Sequence, residues 1–236
     1  MRNEPLCDYT QWLIIIYCQG DDVQMASTPR SIDMQNHPRR AQFEYFSQMA
    51  NPYVGVTVNV DLSALAAWRS RTGAPFFLSL LYAVSRAANA VPELRRRIRP
   101  DGRVVEYDWC PSSHIVLKPD ESYAYCTLSA DKPLDAFLAE GTAAQRRCTE
   151  CGTLDEADPE PLIFISTLPW LSYTALVQPT PMPADSNPRI TWGRCFQENG
   201  RTLVPMTLLA HHALLDGLHI SRFYQALDTD LKRSFS

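Results

Sequence analysis

Missing from this 236-residue chain is any apolar run long enough to cross a bilayer. The most apolar early stretch, Trp12–Tyr17, falls far short of the roughly 20 residues that a spanning helix needs, so no membrane partner is expected. A basic stripe is missing too. Lys and Arg number 22 against 26 Asp and Glu, a net charge of −4, which argues against nucleic acid as a partner. The 7 cysteines are odd in number and fit no secreted disulfide framework, so reduced, partly buried thiols in a cytoplasmic protein are expected. Cys148-Thr149-Glu150-Cys151 has the form of a zinc or redox pair, but no second ligand pair stands at zinc-like spacing, and no metal is expected. Nor is there an internal repeat or a Gly/Ser linker to divide the chain. What remains is 45% hydrophobic and 10% aromatic, a composition that folds into a core.

Residues 1–24 read as an irregular N-terminal extension, and residues 25–236 as one domain. Val54 to Val60 alternates apolar residues with Gly55, Thr57 and Asn59, the period of a half-buried strand. Asp61 or Ser63 can cap a short helix carrying Leu65 and Trp68, which Gly73 ends. Pro75 opens a longer helix with a stripe of Phe77, Leu80, Leu81, Val84 and Ala88, stopping near Pro92. Asp101-Gly102 reads as a turn into a strand at Val104–Glu106. Strands are expected at His114–Leu117 and Tyr123–Leu128, then a helix around Leu134, Phe137 and Leu138. An acidic loop from Glu150 to Glu160 leads to a strand at Leu162–Ser166, and Tyr173–Val177 is expected to continue the sheet. After the proline-dense loop Pro179–Pro188, Asn199-Gly200 joins Ile190–Gln197 to Leu203–Leu209 as a hairpin. The fold class is α/β: a single-domain, two-layer sandwich of a mostly antiparallel or mixed sheet with packed helices.

The chemistry concentrates in Ala210-His211-His212-Ala213-Leu214-Leu215-Asp216-Gly217. The run Leu203 to Leu209 before it reads as a buried strand, and Ile220, Phe223, Leu227 and Leu231 after it share one helical face. Two histidines therefore stand where a strand stops, a place that can hold an imidazole rigidly with its tip open, as a general base requires. The plain alternative is a pair of hydrogen-bonded histidines before an ordinary Asp-Gly turn.

His-His-x-x-x-Asp-Gly followed by Leu218-His219 resembles the chloramphenicol acetyltransferase family. So do Ser166-Thr167-Leu168-Pro169-Trp170, Arg39-Arg40-Ala41-Gln42-Phe43-Glu44-Tyr45-Phe46 and Pro92-Glu93-Leu94-Arg95, in the family's order. The resemblance implies a CoA-dependent acyltransferase fold, acetyl-CoA as co-substrate, a small-molecule hydroxyl acceptor and a homotrimer. It places the general base on His212, with no covalent acyl-enzyme, and leaves His211 structural. Asp216 would pair with Arg39 to fix the loop carrying the base, and Ser166 would donate to the oxyanion. Arg194 falls where the family has a lysine near the phosphates of coenzyme A, although a plain surface arginine is an equal reading.

In the acceptor pocket the resemblance points to Tyr45, Phe46, Val54, His114 and Tyr123, and here the sequence departs from the family. Ala50 and Val54 replace larger residues, Tyr123 a phenylalanine, His114 a threonine and Phe164 an asparagine. Lost apolar area, at about 25 cal/mol per Å², could weaken an aromatic antibiotic by a few kcal/mol. Three functions are therefore expected in turn: an O-acetyltransferase that inactivates chloramphenicol, one of the same mechanism with another hydroxyl acceptor, and a non-catalytic binding or assembly protein.

Overall fold

The computed structural model describes residues 28–154 and 158–236. The extension read over residues 1–24 lies outside the described residues, as does the middle of the acidic loop. Along the chain come β1 (Arg30–Ile32), α1 (Arg40–Ser47), β2 (Tyr53–Asp61), α2 (Ser63–Thr72) and α3 (Phe76–Asn89). A 3-10 turn at Pro92–Arg95 leads to β3 (Arg96–Ile98), β4 (Val104–Glu106), β5 (Ser112–Leu117), β6 (Tyr123–Leu128) and α4 (Leu134–Cys151). Then follow β7 (Ile163–Leu168), β8 (Arg189–Gly193), β9 (Phe196–Glu198), β10 (Arg201–His211) and α5 (Gly217–Ser234).

The main sheet has the order β2-β10-β8-β7-β5-β6, with β9 paired to β10. Its β5–β7 and β7–β8 pairs are parallel and the rest antiparallel, so the sheet is mixed. Parallel strands need a crossover, and α4 supplies the one between β6 and β7. The β9–β10 hairpin turns on Asn199 and Gly200, with φ of 51° and 75°, the paired positive values of a type I′ turn. A second, three-stranded sheet has the order β1-β4-β3; β4 was expected after the Asp101-Gly102 turn, whereas β1 and β3, with 3 residues each, are too short for an alternation to register.

Alternation along β10 decides the two faces of the main sheet. Val204, Met206, Leu208 and Ala210 point into the helix layer and are buried, with α3 and α5 packed above them. Phe223 and Leu227 of α5 are fully buried in that layer, each side chain stabilising the fold by about 1.5–3 kcal/mol. Truncating Phe223 to alanine would cost about 3–5 kcal/mol. The Tyr224 hydroxyl pins α5 to the sheet by donating to the Met206 carbonyl at 2.8 Å.

Among the described residues, no helix covers the other face. Tyr53, Thr57, Thr207, Leu209, Ser166 and Tyr123 lie on it by register. The segment Tyr173–Val177, expected as a strand, instead crosses this face as irregular chain. β8 already has β7 on one side and β10 on the other, so it offers no ladder to join. Contacts hold the segment there: the Tyr173 hydroxyl donates to the Thr191 carbonyl at 2.7 Å, and Arg194 N–H to the Leu171 carbonyl at 2.7 Å. Gly193 permits this approach, since a Cβ there would meet the Leu171 oxygen at 2.6 Å.

The Cys148–Cys151 pair closes the last turn of α4, so that helix runs past the start expected for the acidic loop. Among the described residues, no helix is long and apolar enough to cross a membrane, and no cluster of three or more His, Cys, Asp or Glu could hold a metal.

Candidate active site

β10 ends at His211, and His212 takes the chain off the sheet. The His212 N–H donates to the Pro52 carbonyl at 2.7 Å, just before β2 begins. The imidazole then turns back over its own loop, with Nδ1 2.9 Å from the Leu215 carbonyl oxygen. A carbonyl can only accept, so Nδ1 carries the proton and the neutral ring keeps its lone pair on Nε2. Phe46 stacks on the ring with centroids 3.7 Å apart and planes 16° apart, fixing its tilt.

Asp216 sets the loop. It is the N-cap of α5, accepting from Leu218 N–H at 3.0 Å, with His219 completing a reciprocal capping box. Its other oxygen pairs with Arg39, the residue before α1. One ion pair therefore ties the start of α1 to the start of α5 and brings Phe46 over His212. Burial pulls the Asp216 carboxyl upward, but the hydrogen bond and charge of Arg39 outweigh it and hold the group at about 2. Arg40, the neighbouring arginine, points outward and pairs with Glu44 within α1.

His211 belongs to the fold. It is buried on the uncovered face, edge-on to Tyr53, and its Nδ1 accepts from Ala213 N–H at 3.3 Å. Burial pushes it down to about 4, so it is neutral near pH 7.

The remaining candidates separate into two groups. Val54 is partly buried against the core, and Tyr45 is exposed beside Phe46, both at the His212 end of the sheet. Ser166 is at the other end. It pairs with Thr191, which pairs with Thr207, five residues before His212. That is about 17 Å along the strand and about 10 Å across two strands, so Ser166 and His212 of one chain stand roughly 20 Å apart. Exposed Tyr123, at the sheet edge, and exposed Arg194, just after β8, share the Ser166 end.

His114 is placed otherwise than a pocket residue would be. It lies on the helix side of β5, 1% exposed, with Nε2 3.0 Å from Gln145 Nε2 and its ring 4.9 Å from Phe77. Burial pushes it down to about 4. Sequence reasoning missed the Leu215 carbonyl that sets the tautomer, and no residue pattern could have announced a backbone acceptor. It missed the cap made by His219 as well, although an acceptor side chain three residues after Asp216 is the signature of such a box.

Comparison with known proteins agrees with the extent of the resemblance. The family described as chloramphenicol acetyltransferase matches residues 28–228. Chloramphenicol acetyltransferase 2 of Escherichia coli is 28% identical over 204 residues, covering 83% of this chain and 93% of that protein. The Streptomyces acrimycini chloramphenicol acetyltransferase is 28% identical, covering 86% and 94%. A solved chloramphenicol acetyltransferase superposes with a TM-score of 0.76 at 28% identity, over 86% of this chain and all of that one. The dihydrolipoamide acetyltransferase of Azotobacter vinelandii superposes at 0.61 with 18% identity, over 98% and 97%, and shares the fold.

Proposed function

This chain belongs to the chloramphenicol acetyltransferase family and is an acyltransferase, and from that premise we propose that it moves acetyl from acetyl-CoA to a hydroxyl of a small molecule, with chloramphenicol the first acceptor to test. The observation that carries the reading is the Nδ1 contact of His212 with the Leu215 carbonyl, which leaves Nε2 as the base.

The acceptor hydroxyl gives its proton to His212 Nε2 while its oxygen attacks the thioester carbonyl. The C–O bond forms, and the carbonyl pair moves onto oxygen as an oxyanion that accepts from the Ser166 hydroxyl. On collapse the C–S bond breaks, and the sulfur leaves with the proton from Nε2. A base in place contributes about 10²–10⁴-fold and an oxyanion donor about 10²–10³-fold. Arg194 would meet the phosphates of coenzyme A.

Base and donor are far apart within one chain, so two subunits must meet to complete a site. A homotrimer in which His212 of one subunit faces Ser166 of the next, across the uncovered sheet face, meets that need. The family is one of acyltransferases, which leaves a non-catalytic scaffold without support.

The test is thiol release from acetyl-CoA, followed with DTNB, across hydroxyl acceptors including chloramphenicol. Release that needs both an acceptor and His212 is expected. Protein that binds acetyl-CoA yet releases no thiol with any acceptor would refute the reading.

A further inference from the structure

The Cys-x-x-Cys at the end of α4 is not used by the proposed transfer chemistry, and its first thiol has a partner on the neighbouring strand. On β6, Ala124, Cys126 and Leu128 alternate inward and are buried against the helix layer. α4 packs over them. Gln145 Nε2 lies 3.0 Å from Nε2 of His114, the cross-strand neighbour of Cys126. One turn further along the helix, Cys148 Sγ lies 3.5 Å from the carbonyl oxygen of Tyr125, the residue before Cys126. The end of α4 is held in that place. Lys118 Nζ donates to the Gly152 carbonyl at 2.6 Å, and Tyr125 N–H to the Thr153 carbonyl at 3.0 Å. A Cβ at Gly152 would meet that of Ala124 at 2.8 Å, so helix end and strand are in close contact.

This packing brings two sulfur atoms together: buried Cys126 donates its S–H to half-buried Cys148. That hydrogen bond, helped by the charges of Arg147 and Lys118, outweighs burial and holds the Cys148 thiol below the ordinary thiol range. The pair has an accessible sulfur in front, prone to be thiolate, and a protected thiol behind it. A thiolate is the nucleophilic form, so Cys148 is the reactive member. Other cysteines are placed differently. Burial pushes the thiols of Cys110 and Cys195 up, and Cys151 turns back onto its own helix, with Sγ 3.3 Å from the Arg147 carbonyl.

We propose that Cys126 and Cys148 form a reversible oxidation site, at which hydrogen peroxide converts the two thiols into a disulfide joining β6 to α4. The Cys148 thiolate attacks one peroxide oxygen. The S–O bond forms, the O–O bond breaks, and the hydroxide that leaves takes up the proton Cys148 had released. Cys126 then attacks the sulfenic sulfur; the S–S bond forms, the S–O bond breaks, and the second oxygen leaves as water with the Cys126 proton. Two thiols are oxidised by two electrons and the peroxide is reduced to two waters. The site lies on the helix side of the sheet, opposite the face on which Ser166 lies, so it needs neither acetyl-CoA nor an acceptor.

To test this, the full chain is treated with one equivalent of hydrogen peroxide near neutral pH, the remaining thiols are alkylated, and its peptides are mapped by mass without reduction. The expected product is a cross-link of the Cys126 and Cys148 peptides, lighter by two hydrogens and undone by dithiothreitol. Cys148 should be consumed about 10-fold faster than Cys110 or Cys195, since one unit of thiol pKa is tenfold in thiolate. Cys148→Ser should remove the cross-link. Cys126→Ser keeps a donor for Cys148 but cannot close the disulfide, so dimedone should label the Cys148 sulfenic acid there. Cys126→Ala gives the same reading if a buried hydroxyl disturbs the fold. A cross-link of Cys148 to Cys151 in place of Cys126 overturns the proposal. So does faster oxidation of Cys110 or Cys195, or a wild-type protein that keeps both thiols through the treatment.

Discussion

Replacing Asp216 separates two contributions that meet in one side chain. Asp216→Asn keeps an amide oxygen for the Leu218 N–H, so the cap survives while the charge facing Arg39 is lost; Asp216→Ala removes both. A lost cap costs about 1 kcal/mol. Stranding one member of a fully buried pair costs about 3–5 kcal/mol. Here the Arg39 side chain is 15% exposed but that of Asp216 is 35% exposed, so solvent screening brings the ion-pair share down to about 1–2 kcal/mol. Asp216→Asn should therefore destabilise by about 1–2 kcal/mol and Asp216→Ala by about 2–3 kcal/mol. Arg39→Ala frees the start of α1 and loosens Phe46 over His212, so turnover should fall with stability. Urea midpoints for Arg39→Ala, Asp216→Asn and the double variant, all at one protein concentration, close a cycle whose coupling is expected at about 0.5–2 kcal/mol. Arg40→Ala is the control, breaking only an exposed helix pair worth about 0.3–0.5 kcal/mol. Strict additivity of the two single substitutions, or an Arg40→Ala effect as large as that of Arg39→Ala, would refute the ion-pair argument.

His212→Ala should lower turnover by about 10²–10⁴-fold with the melting temperature little changed, whereas His211→Ala should act first on stability; activity of His212→Ala within a few-fold of wild type would remove the base assignment. Stability should fall with pH between about 6.5 and 4, because His114 and His211 are held near 4 in the fold by burial and return to about 6.5 when unfolded. The unfolded chain binds more protons in that window, so each group can take away up to about 1.4 kcal/mol per pH unit, and a urea midpoint that is flat or rises from pH 7 to pH 5 would contradict it. For the Arg39-bound carboxyl of Asp216 the loss comes lower, present above about pH 4 and gone as pH falls through about 2. Mixing inactive His212→Ala with inactive Ser166→Ala should restore part of the activity after subunit exchange, verified by mass; a fully active monomer in sedimentation would exclude the shared site.

The helix side of the sheet was legible in the sequence, and the uncovered side only in part. Periodicity found β2, β5, β6 and β10 and the buried stripes of α3 and α5, because core contact enforces a period of two or 3.6. The Arg39–Asp216 pair was legible as a resemblance, and its physical reason is local. Arg40 is already inside α1 and is drawn to Glu44 one turn on, leaving Arg39 at the helix start to reach α5. His114 was put in the acceptor pocket by resemblance and lies instead on the helix side of β5, since a matching position in sequence does not fix which face of a strand turns inward.

In β5 that choice is inverted. Ser112, His114 and Val116 turn toward the helices, while Ile115 and Leu117 turn outward, 42% and 55% exposed, beside Tyr123 of β6 at 43%. An isolated sheet-and-helix sandwich would be expected to carry the opposite phase, with its apolar residues inward. Apolar side chains gathered on an exposed sheet face mark an interaction surface. Ser166 lies on that same face, two strands from the edge and far from the histidine of its own chain. Covering Ile115, Leu117 and Tyr123 with a second copy would place Ser166 at the join as well. With Ser166 in its proposed oxyanion role, the packing of the face and the chemistry call for the same contact, which is why the subunit-exchange experiment tests both at once.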